Sequence, residues 1–252
     1  MRVGLFIPCY IDQMFPRVGL ATVRILRRFS ELELDYPESQ TCCGQPMANT
    51  GCMVDTRPLA KRFVEIFGDY DHVVCPSGSC VSMVKHHYAS YFHNDARFER
   101  LRTCVWELCE FLCDVLQVNS MPFGFPRRVG LHNSCHGLRE LRLDACTERT
   151  GPQQSKVRRL LEMVPDLELV ELERPDECCG FGGTFAVAEE GISTMMGRDR
   201  INDHLKAGAE FIVATDSSCL MHLDGLARRA QLDIPTIHVA EILAGSSPYS
   251  VR

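Results

Sequence analysis

The stretch RVGLFIPC at residues 2–9 decides how the chain is organised, because it recurs as RVGLHNSC at residues 128–135. Both copies open with the same four residues and close on a cysteine after a short apolar run. A short apolar run that ends in a turn is typical of a buried strand in a parallel sheet. The sequence therefore predicts two equivalent strands, each followed at once by a cysteine, Cys9 or Cys135.

Three further landmarks follow each of these strands in the same order. LELDY at 32–36 corresponds to LELVE at 167–171, and a Cys-Cys-Gly triplet comes after each. VVCPSGSC at 73–80 then corresponds to IVATDSSC at 212–219. Landmarks that recur in one order indicate a tandem repeat.

Pro and Gly cluster between the two copies, at residues 119–128. Such clusters mark loops and linkers. We therefore predict a first cysteine-rich domain at 1–122 (the first half) and a second at 123–252 (the second half).

Each half alternates short apolar strands with helices. Strands are predicted at 3–8, 32–36 and 73–75 and at 129–132, 167–171 and 211–215, with helices at 58–67, 155–164 and 190–207. In the first predicted helix, the apolar face consists of Val18, Ala21, Ile25 and Phe29. This alternation predicts an α/β fold of two pseudo-repeated domains, each a small parallel sheet flanked by helices.

Composition limits the classes of protein to consider. Of the 252 residues, 45% are hydrophobic and 24% are charged, which is typical of one large or two smaller globular domains. The net charge is -6 and no block of Lys and Arg stands out, which argues against nucleic-acid binding. The opening apolar run is too short for a secretory signal, and no run approaches the ~20 residues of a membrane span. We therefore expect a cytoplasmic protein.

The chain contains 14 cysteines, for which metal binding or redox chemistry is the better explanation in a reducing compartment. Eight of them recur between the halves and follow predicted strands. They are Cys9, Cys42, Cys43 and Cys80 in the first half and Cys135, Cys178, Cys179 and Cys219 in the second. The carboxyl ends of parallel strands share one edge of a sheet, so we expect one cysteine pocket in each half.

Four thiolates can hold a zinc ion or an iron–sulfur cluster. Adjacent cysteines suit one small tetrahedral ion poorly, whereas a cluster offers several irons, so iron–sulfur is favoured over zinc and over buried free cysteines. The glycines after the pairs, Gly44 and Gly180, permit a positive φ and let backbone amides approach the sulfurs. We count both glycines as candidate cofactor-binding residues.

Two histidines flank Cys135. His132 and His136 are candidates for a hydrogen bond to a cluster sulfur or to substrate, or else are loop histidines satisfied by the backbone. Gly182 and Gly183 form either a backbone nest for a cluster or a tight turn.

The remaining cysteines are predicted to be structural. Those at 104, 109 and 113 lie on a helical pattern shared with Val105, Leu108, Leu112 and Leu116, and we expect core packing there. Cys52 and Cys146 have no counterpart in the other half. The position of Cys75 in the repeat is occupied by Ala214 in the second half. Both observations argue against ligand roles.

The duplicated pattern resembles the cysteine-rich CCG domain found in heterodisulfide reductase and in the iron–sulfur subunits of glycolate oxidase and anaerobic glycerol-3-phosphate dehydrogenase. The finer resemblance is to the lactate utilization protein A family. It rests on FIPCYIDQMFP, TCCGQPMANTG, PSGSC, HNSCHGLRELR and CCGFGGTFAV and spans nearly the whole chain. It implies an iron–sulfur subunit, with clusters of the [4Fe-4S] type, in an L-lactate-oxidising complex. The implied partners are a ferredoxin-like iron–sulfur subunit and a third small subunit.

One departure from the CCG domains of heterodisulfide reductase concerns the last cysteine motif. That relative has a C-x-x-C there, and its five-cysteine sets hold noncubane clusters. Here Ser77 and Asp216 replace the first cysteine of the motif. An ordinary cubane, a cluster with an oxygen ligand from Asp216 and a labile site all stay open.

We interpret the chain as an electron-transfer subunit in the oxidation of lactate to pyruvate. No G-x-G-x-x-G fingerprint follows a strand, so hydride chemistry on this chain lacks support and no catalytic residue is assigned. One alternative is a heterodisulfide-reductase-like subunit that itself reduces a disulfide or quinone acceptor. Another is a zinc-stabilised assembly module.

Overall fold

The computed structural model describes residues 1–246 and contains two four-stranded parallel sheets, one in each half. The predicted α/β fold of two repeated domains is therefore confirmed. The boundary between residues 122 and 123 stays a prediction, and residues 247–252 lie outside the described part of the chain.

The two sheets have the same topology. The first has the order β2-β1-β3-β4, and the second the order β6-β5-β7-β8. The strands are β1 Arg2–Leu5, β2 Glu33–Asp35, β3 His72–Cys75, β4 Val105–Glu107, β5 Arg128–Leu131, β6 Glu168–Val170, β7 Phe211–Ala214 and β8 Thr236–His238. Gly4 of β1 pairs with Val73, and Gly130 of β5 pairs with Ile212. The repeat therefore extends to the register of the sheets.

Helices cover these sheets. In the first half they are α1 Cys9–Met14, α2 Pro16–Leu26, α3 Gln45–Asn49, α4 Met53–Phe67, α5 Gly78–Ser82, α6 Ala96–Cys104 and α7 Leu108–Glu110. In the second they are α8 Lys156–Glu162, α9 Phe185–Ala188, α10 Glu190–Lys206, α11 Ser217–Arg229 and α12 Val239–Leu243. No helix of residues 1–246 is long and apolar enough to cross a membrane.

Two of the predicted helices differ from the observed ones at their ends. Val18, Ala21 and Ile25 are buried on α2 as predicted, but α2 ends before Phe29. Helix α4 begins five residues before Pro58, the predicted start. Pro58 is the sixth residue of α4, where it removes one backbone hydrogen bond from the helix.

The predicted helix across residues 104–116 is wrong in its middle. Helix α6 ends at Cys104, β4 follows, and a new helical segment begins at Leu108. Val105 pairs with Val73 of β3, so strand pairing across the sheet overrides the local helical pattern. Cys109 and Cys113 are buried, as predicted for core residues.

The halves share one hydrophobic core rather than meeting at a polar surface. The largest buried cluster contains residues of both, including Val3, Ile25, Leu160 and Ile242. Helix α12 packs against α2, and Arg28 donates a hydrogen bond to the Leu243 carbonyl at 3.4 Å. This packing sets the two cysteine-bearing sheet edges opposite each other.

Candidate metal centres

All eight predicted cysteines line one cavity between the halves, with a volume of about 130 Å³. Each cysteine lies beyond the carboxyl end of a strand. The sequence therefore predicted which cysteines come together within each half. It did not predict that the two sets face the same cavity.

In the first half, the four sulfurs form two close pairs. The Sγ atoms of Cys9 and Cys42 are 3.6 Å apart, and those of Cys43 and Cys80 are 3.5 Å apart. Cys9 begins α1 directly after β1, and Cys80 lies in α5 after β3. Three loops that are distant in sequence thus bring their thiols to one place.

The second half repeats this arrangement. The thiols of Cys135 and Cys179 hydrogen-bond to Cys178, and Cys179 also hydrogen-bonds to Cys219. The Sγ atoms of Cys179 and Cys219 and a ring nitrogen of His132 all lie within 4.8 Å of one another.

One cysteine of each set is poised as a thiolate. Thiol hydrogen bonds from Cys43 and Cys9 lower the pKa of Cys42 to about 3. Bonds from the thiols of Cys135 and Cys179 lower the pKa of Cys178 to about 2 in the same way. Thiolates are the form of cysteine that binds metals.

The glycine after each pair supplies an amide to this thiolate. The Gly44 N–H lies 3.3 Å from Cys42 Sγ, and the Gly180 N–H lies 3.3 Å from Cys178 Sγ. Their φ angles are +82° and +87°, which favour glycine strongly. The predicted conformational reason for Cys-Cys-Gly is thus present in both halves, and a role of these glycines in holding a cofactor stays a prediction.

Ser77 and Asp216, which replace the expected cysteines, are bonded to each other across the halves. Ser77 Oγ donates to Asp216 Oδ1 at 2.8 Å, and Ser79 donates to the same oxygen through its amide at 3.0 Å and its hydroxyl at 2.7 Å. Asp216 Oδ2 is buried in the cavity wall without a hydrogen-bond partner among residues 1–246. Ligation by either residue stays a prediction.

The first half has an aromatic layer between β1 and α4. Phe6, which follows β1, contacts Phe63 and Phe67 of α4 with ring centroids 4.9 and 5.7 Å apart. All three rings are buried. The first half is therefore apolar at these positions.

The second half has polar residues in the corresponding places. His132 follows β5 as Phe6 follows β1, and its amide bonds the Val213 carbonyl as that of Phe6 bonds Val74. Arg200 and His204 of α10 have the same four-residue spacing as the phenylalanines of α4. A Cβ atom on Gly130 would collide with His204, as one on Gly4 would crowd Phe67.

This polar layer is fully buried. His132, Arg200 and His204 are each at most 1% exposed. Arg200 bonds Asp203 at 2.8 Å and the Arg174 carbonyl. Burial and the Arg200 charge lower the pKa of His132 to about 4 and that of His204 to about 2, so both imidazoles are neutral.

Sequence reasoning named His132 but missed Arg200 and His204. For His132, the interpretation as a loop histidine satisfied by the backbone is wrong, because neither ring nitrogen has a hydrogen-bond partner within residues 1–246. Comparing α4 with the helix of 190–207 position by position would have revealed the exchange of phenylalanines for Arg200 and His204.

Other candidates lie around the cavity. His136 lines it, with Nε2 3.3 Å from Gln45 Nε2, and Gly182 and Gly183 line it with positive φ angles. The Tyr10 and Phe181 rings, one from each half, meet edge to face at 6.1 Å.

The cysteines predicted to be structural are outside the cavity lining. Cys75 and Cys146 are buried, Cys104 is half-buried and Cys52 is exposed. Cys75 directs its thiol to the Ser77 carbonyl at 3.8 Å.

The donor set fits an iron–sulfur group. Each half offers four sulfurs, one of them a thiolate stabilised by a backbone amide, and vicinal cysteines can serve different irons. Such a set can hold a redox cofactor at the cavity wall of each half.

Comparison with known proteins identifies the domain family. Residues 3–85 and 129–224 match the cysteine-rich CCG domain family, which covers most of the chain. The chain therefore belongs to the CCG cysteine-rich domain proteins.

Relatives define the family more closely. Lactate utilization protein A of Geobacillus thermodenitrificans is 40% identical over 247 residues, 96% of this chain and 98% of the relative. That of Macrococcus caseolyticus is 38% identical, with 96% of each chain covered. The chain thus belongs to the lactate utilization protein A family, as its sequence motifs indicated.

A solved structure shares the fold. A hypothetical protein from Helicobacter pylori superposes with a TM-score of 0.58 at 10% identity over 96% of this chain. This chain spans about half of that structure, 48%. At this identity the likeness concerns the fold alone.

Proposed function

We propose that each half holds an iron–sulfur cluster and that the chain is the electron-transfer subunit of a complex that oxidises L-lactate to pyruvate. The observation that carries the proposal is the gathering of eight cysteines from both halves on one cavity. The relatives named lactate utilization protein A support the substrate.

The ligands in this proposal are the four cavity-lining cysteines of each half. When bound, clusters of the [4Fe-4S] type would carry electrons one at a time. The amides of Gly44 and Gly180 stabilise the negative charge on Cys42 and Cys178. Tyr10 and Phe181, in contact across the halves, line the same cavity as the sulfurs.

The proposed complex includes a ferredoxin-like iron–sulfur subunit and a third small subunit. The group that activates lactate lies on a partner in this proposal, because the residues at this cavity offer thiols and amides rather than a hydride-accepting site. Reduction of the chain by L-lactate should therefore require the partner subunits.

A second function is favoured by the shared cavity. Both sulfur sets border the same space, so an acceptor such as a disulfide or quinone could be reduced there by this chain itself. Turnover of such an acceptor by the purified, reduced chain alone would favour this function over electron relay.

The test of the first proposal is metal content. Protein prepared and reconstituted without oxygen should be brown and hold several irons and sulfides per chain. We expect Cys43→Ala and Cys179→Ala each to lower the iron content, because each removes a ligand in one half.

Cys109→Ala is the matched control, because Cys109 is as buried as these ligands but lies outside the cavity lining. It should leave the iron content unchanged. Equal loss of iron from all three variants, or a colourless zinc protein after reconstitution, would contradict the proposal.

A further inference from the structure

His132 is the point at which the two cysteine pockets differ most directly. Its ring is 1% exposed, and one of its nitrogens lies within 4.8 Å of both Cys179 Sγ and Cys219 Sγ. The first half holds Phe6 in the corresponding place, where the ring packs on other phenylalanines. The same fold thus needs no polar group at this position.

A buried imidazole without a partner is unfavourable. Leaving a buried polar group unsatisfied costs about 1–3 kcal/mol. Neither nitrogen of His132 has a protein partner within the described residues, and an apolar ring fits the same place in the first half. A ligand that forms a hydrogen bond with the imidazole, or that the imidazole coordinates, accounts for its presence.

The distances suit a metal. Metal–nitrogen bonds of about 2.0–2.1 Å and metal–sulfur bonds of about 2.3 Å place the ligand atoms of one tetrahedral metal about 3.6–3.8 Å apart. The three atoms lie within 4.8 Å of one another, so a closure of about 1 Å or less brings them to such a spacing.

We propose that His132 is a nitrogen ligand of the metal group in the second half, beside Cys179 and Cys219. The neutral imidazole donates a lone pair to the metal, and no proton or electron is transferred. The first half then binds through thiolates alone, whereas the second binds through thiolates and one imidazole. That this group is an iron–sulfur cluster rests on the proposed function.

Pulsed EPR on the reduced, reconstituted chain tests the ligand directly. The wild type should show a ¹⁴N coupling typical of a bound imidazole, and His132→Phe should lose it. Phe is the side chain that the first half accommodates in this place, and circular dichroism checks that the variant folds.

His204→Phe is the control, because it also installs the first-half residue in the buried layer and should retain the ¹⁴N coupling. An iron-loaded wild type without this coupling would overturn the ligand proposal and leave the proposed function intact. An unchanged ¹⁴N coupling in His132→Phe would do the same.

Titration with Co²⁺ alone separates the two proposals. If reconstitution gives no iron, the proposed function is wrong, and Co²⁺ affinity then decides the role of His132. We expect His132→Phe to weaken Co²⁺ binding about tenfold or more. Equal affinity in variant and wild type would overturn the ligand proposal.

Discussion

The first and second halves agree in strand order, register and cysteine positions, but they differ in the buried layer beside β1 and β5. The first half has Phe6, Phe63 and Phe67 there, and the second has His132, Arg200 and His204. Duplication has therefore kept the donors and changed their surroundings. Two centres with the same ligating sulfurs can then differ in potential, because burial and nearby charge tune such centres.

The halves also differ at the positions of the missing cysteines. Ser77 accepts a hydrogen bond from the Cys80 amide and so caps its own helix. Asp216 instead directs Oδ1 to Ser77 and Ser79 of the other half. Ser77 thus caps a helix of its own half, whereas Asp216 links the two halves.

The largest difference in the free energy of unfolding between matched variants of the two halves is expected at the buried charges. Asp203→Ala should lower the free energy of unfolding by about 3–5 kcal/mol, because it leaves Arg200 buried without its carboxylate. Asp203 also accepts hydrogen bonds from the amides of Glu173 and Arg174, both at 3.1 Å. Anaerobic chemical denaturation followed by circular dichroism measures the effect.

Ile66 of α4 holds the corresponding place in the first half and is its control. Ile66→Ala should cost only about 1–2 kcal/mol, because this side chain is partly buried and carries no charge. Similar losses from Asp203→Ala and Ile66→Ala would show that the polar layer does not stabilise the second half as described.

The residues that end the fourth strand of each sheet, β4 and β8, should make stability depend on pH in opposite directions. Burial raises the pKa of Glu107, at the end of β4, to about 8. Its folded form therefore keeps a proton that the unfolded chain releases above pH 4.5, so stability falls as the pH rises towards 8. Between about pH 5 and pH 7.5 this contribution amounts to roughly 3 kcal/mol. Glu107→Gln should remove it from denaturation curves measured across that range.

His238, at the matched end of β8, should behave in the reverse sense. Burial lowers its pKa from 6.5 to about 4, so its contribution to stability is present above pH 6.5 and is lost as the pH falls towards 4. His238→Gln should flatten the curve of stability against pH on its acid side and leave the neutral side unchanged. A Glu107→Gln profile parallel to that of the wild type would contradict this contrast.

The smallest difference is expected at the paired glycines. A Cβ atom on Gly180 would lie 2.6 Å from the Ser193 carbonyl oxygen, whereas one on Gly44 would lie 2.7 Å from a methyl group of Thr56. A backbone atom can move away from an added Cβ atom less easily than a side chain can. With a left-handed backbone costing about 1–2 kcal/mol, we expect Gly180→Ala to lose about 2–3 kcal/mol and Gly44→Ala about 1–2 kcal/mol. Thermal unfolding of both variants in the same buffer ranks the two losses. A larger loss for Gly44→Ala than for Gly180→Ala would contradict this interpretation of the Cys-Cys-Gly loops.

The cysteine positions could be predicted because they depend on local order along the chain. Each follows a strand, and parallel strands present their carboxyl ends at one edge, so repetition sufficed to choose eight of 14 cysteines. The fold class followed from the same alternation. Strand β4 could not be found in this way, because Val105 becomes a strand residue only by pairing with Val73.

Features that depend on contacts between distant segments also escaped the sequence. The hydrogen bond that Ser77 donates to Asp216 requires the relative placement of the halves, which no periodicity encodes. The burial of Arg200 required knowing that α10 turns this side chain inward despite its charge.

The close sulfur pairs make the protein vulnerable to air. A disulfide spans about 2.0 Å, so the thiols of Cys43 and Cys80, now 3.5 Å apart, need little movement to join once an oxidant removes two electrons. The Cys42 thiolate, 3.6 Å from Cys9, is ready for the same reaction. Handling in oxygen would therefore lock the first half in a cross-linked form that must be chemically reduced before it can take up metal.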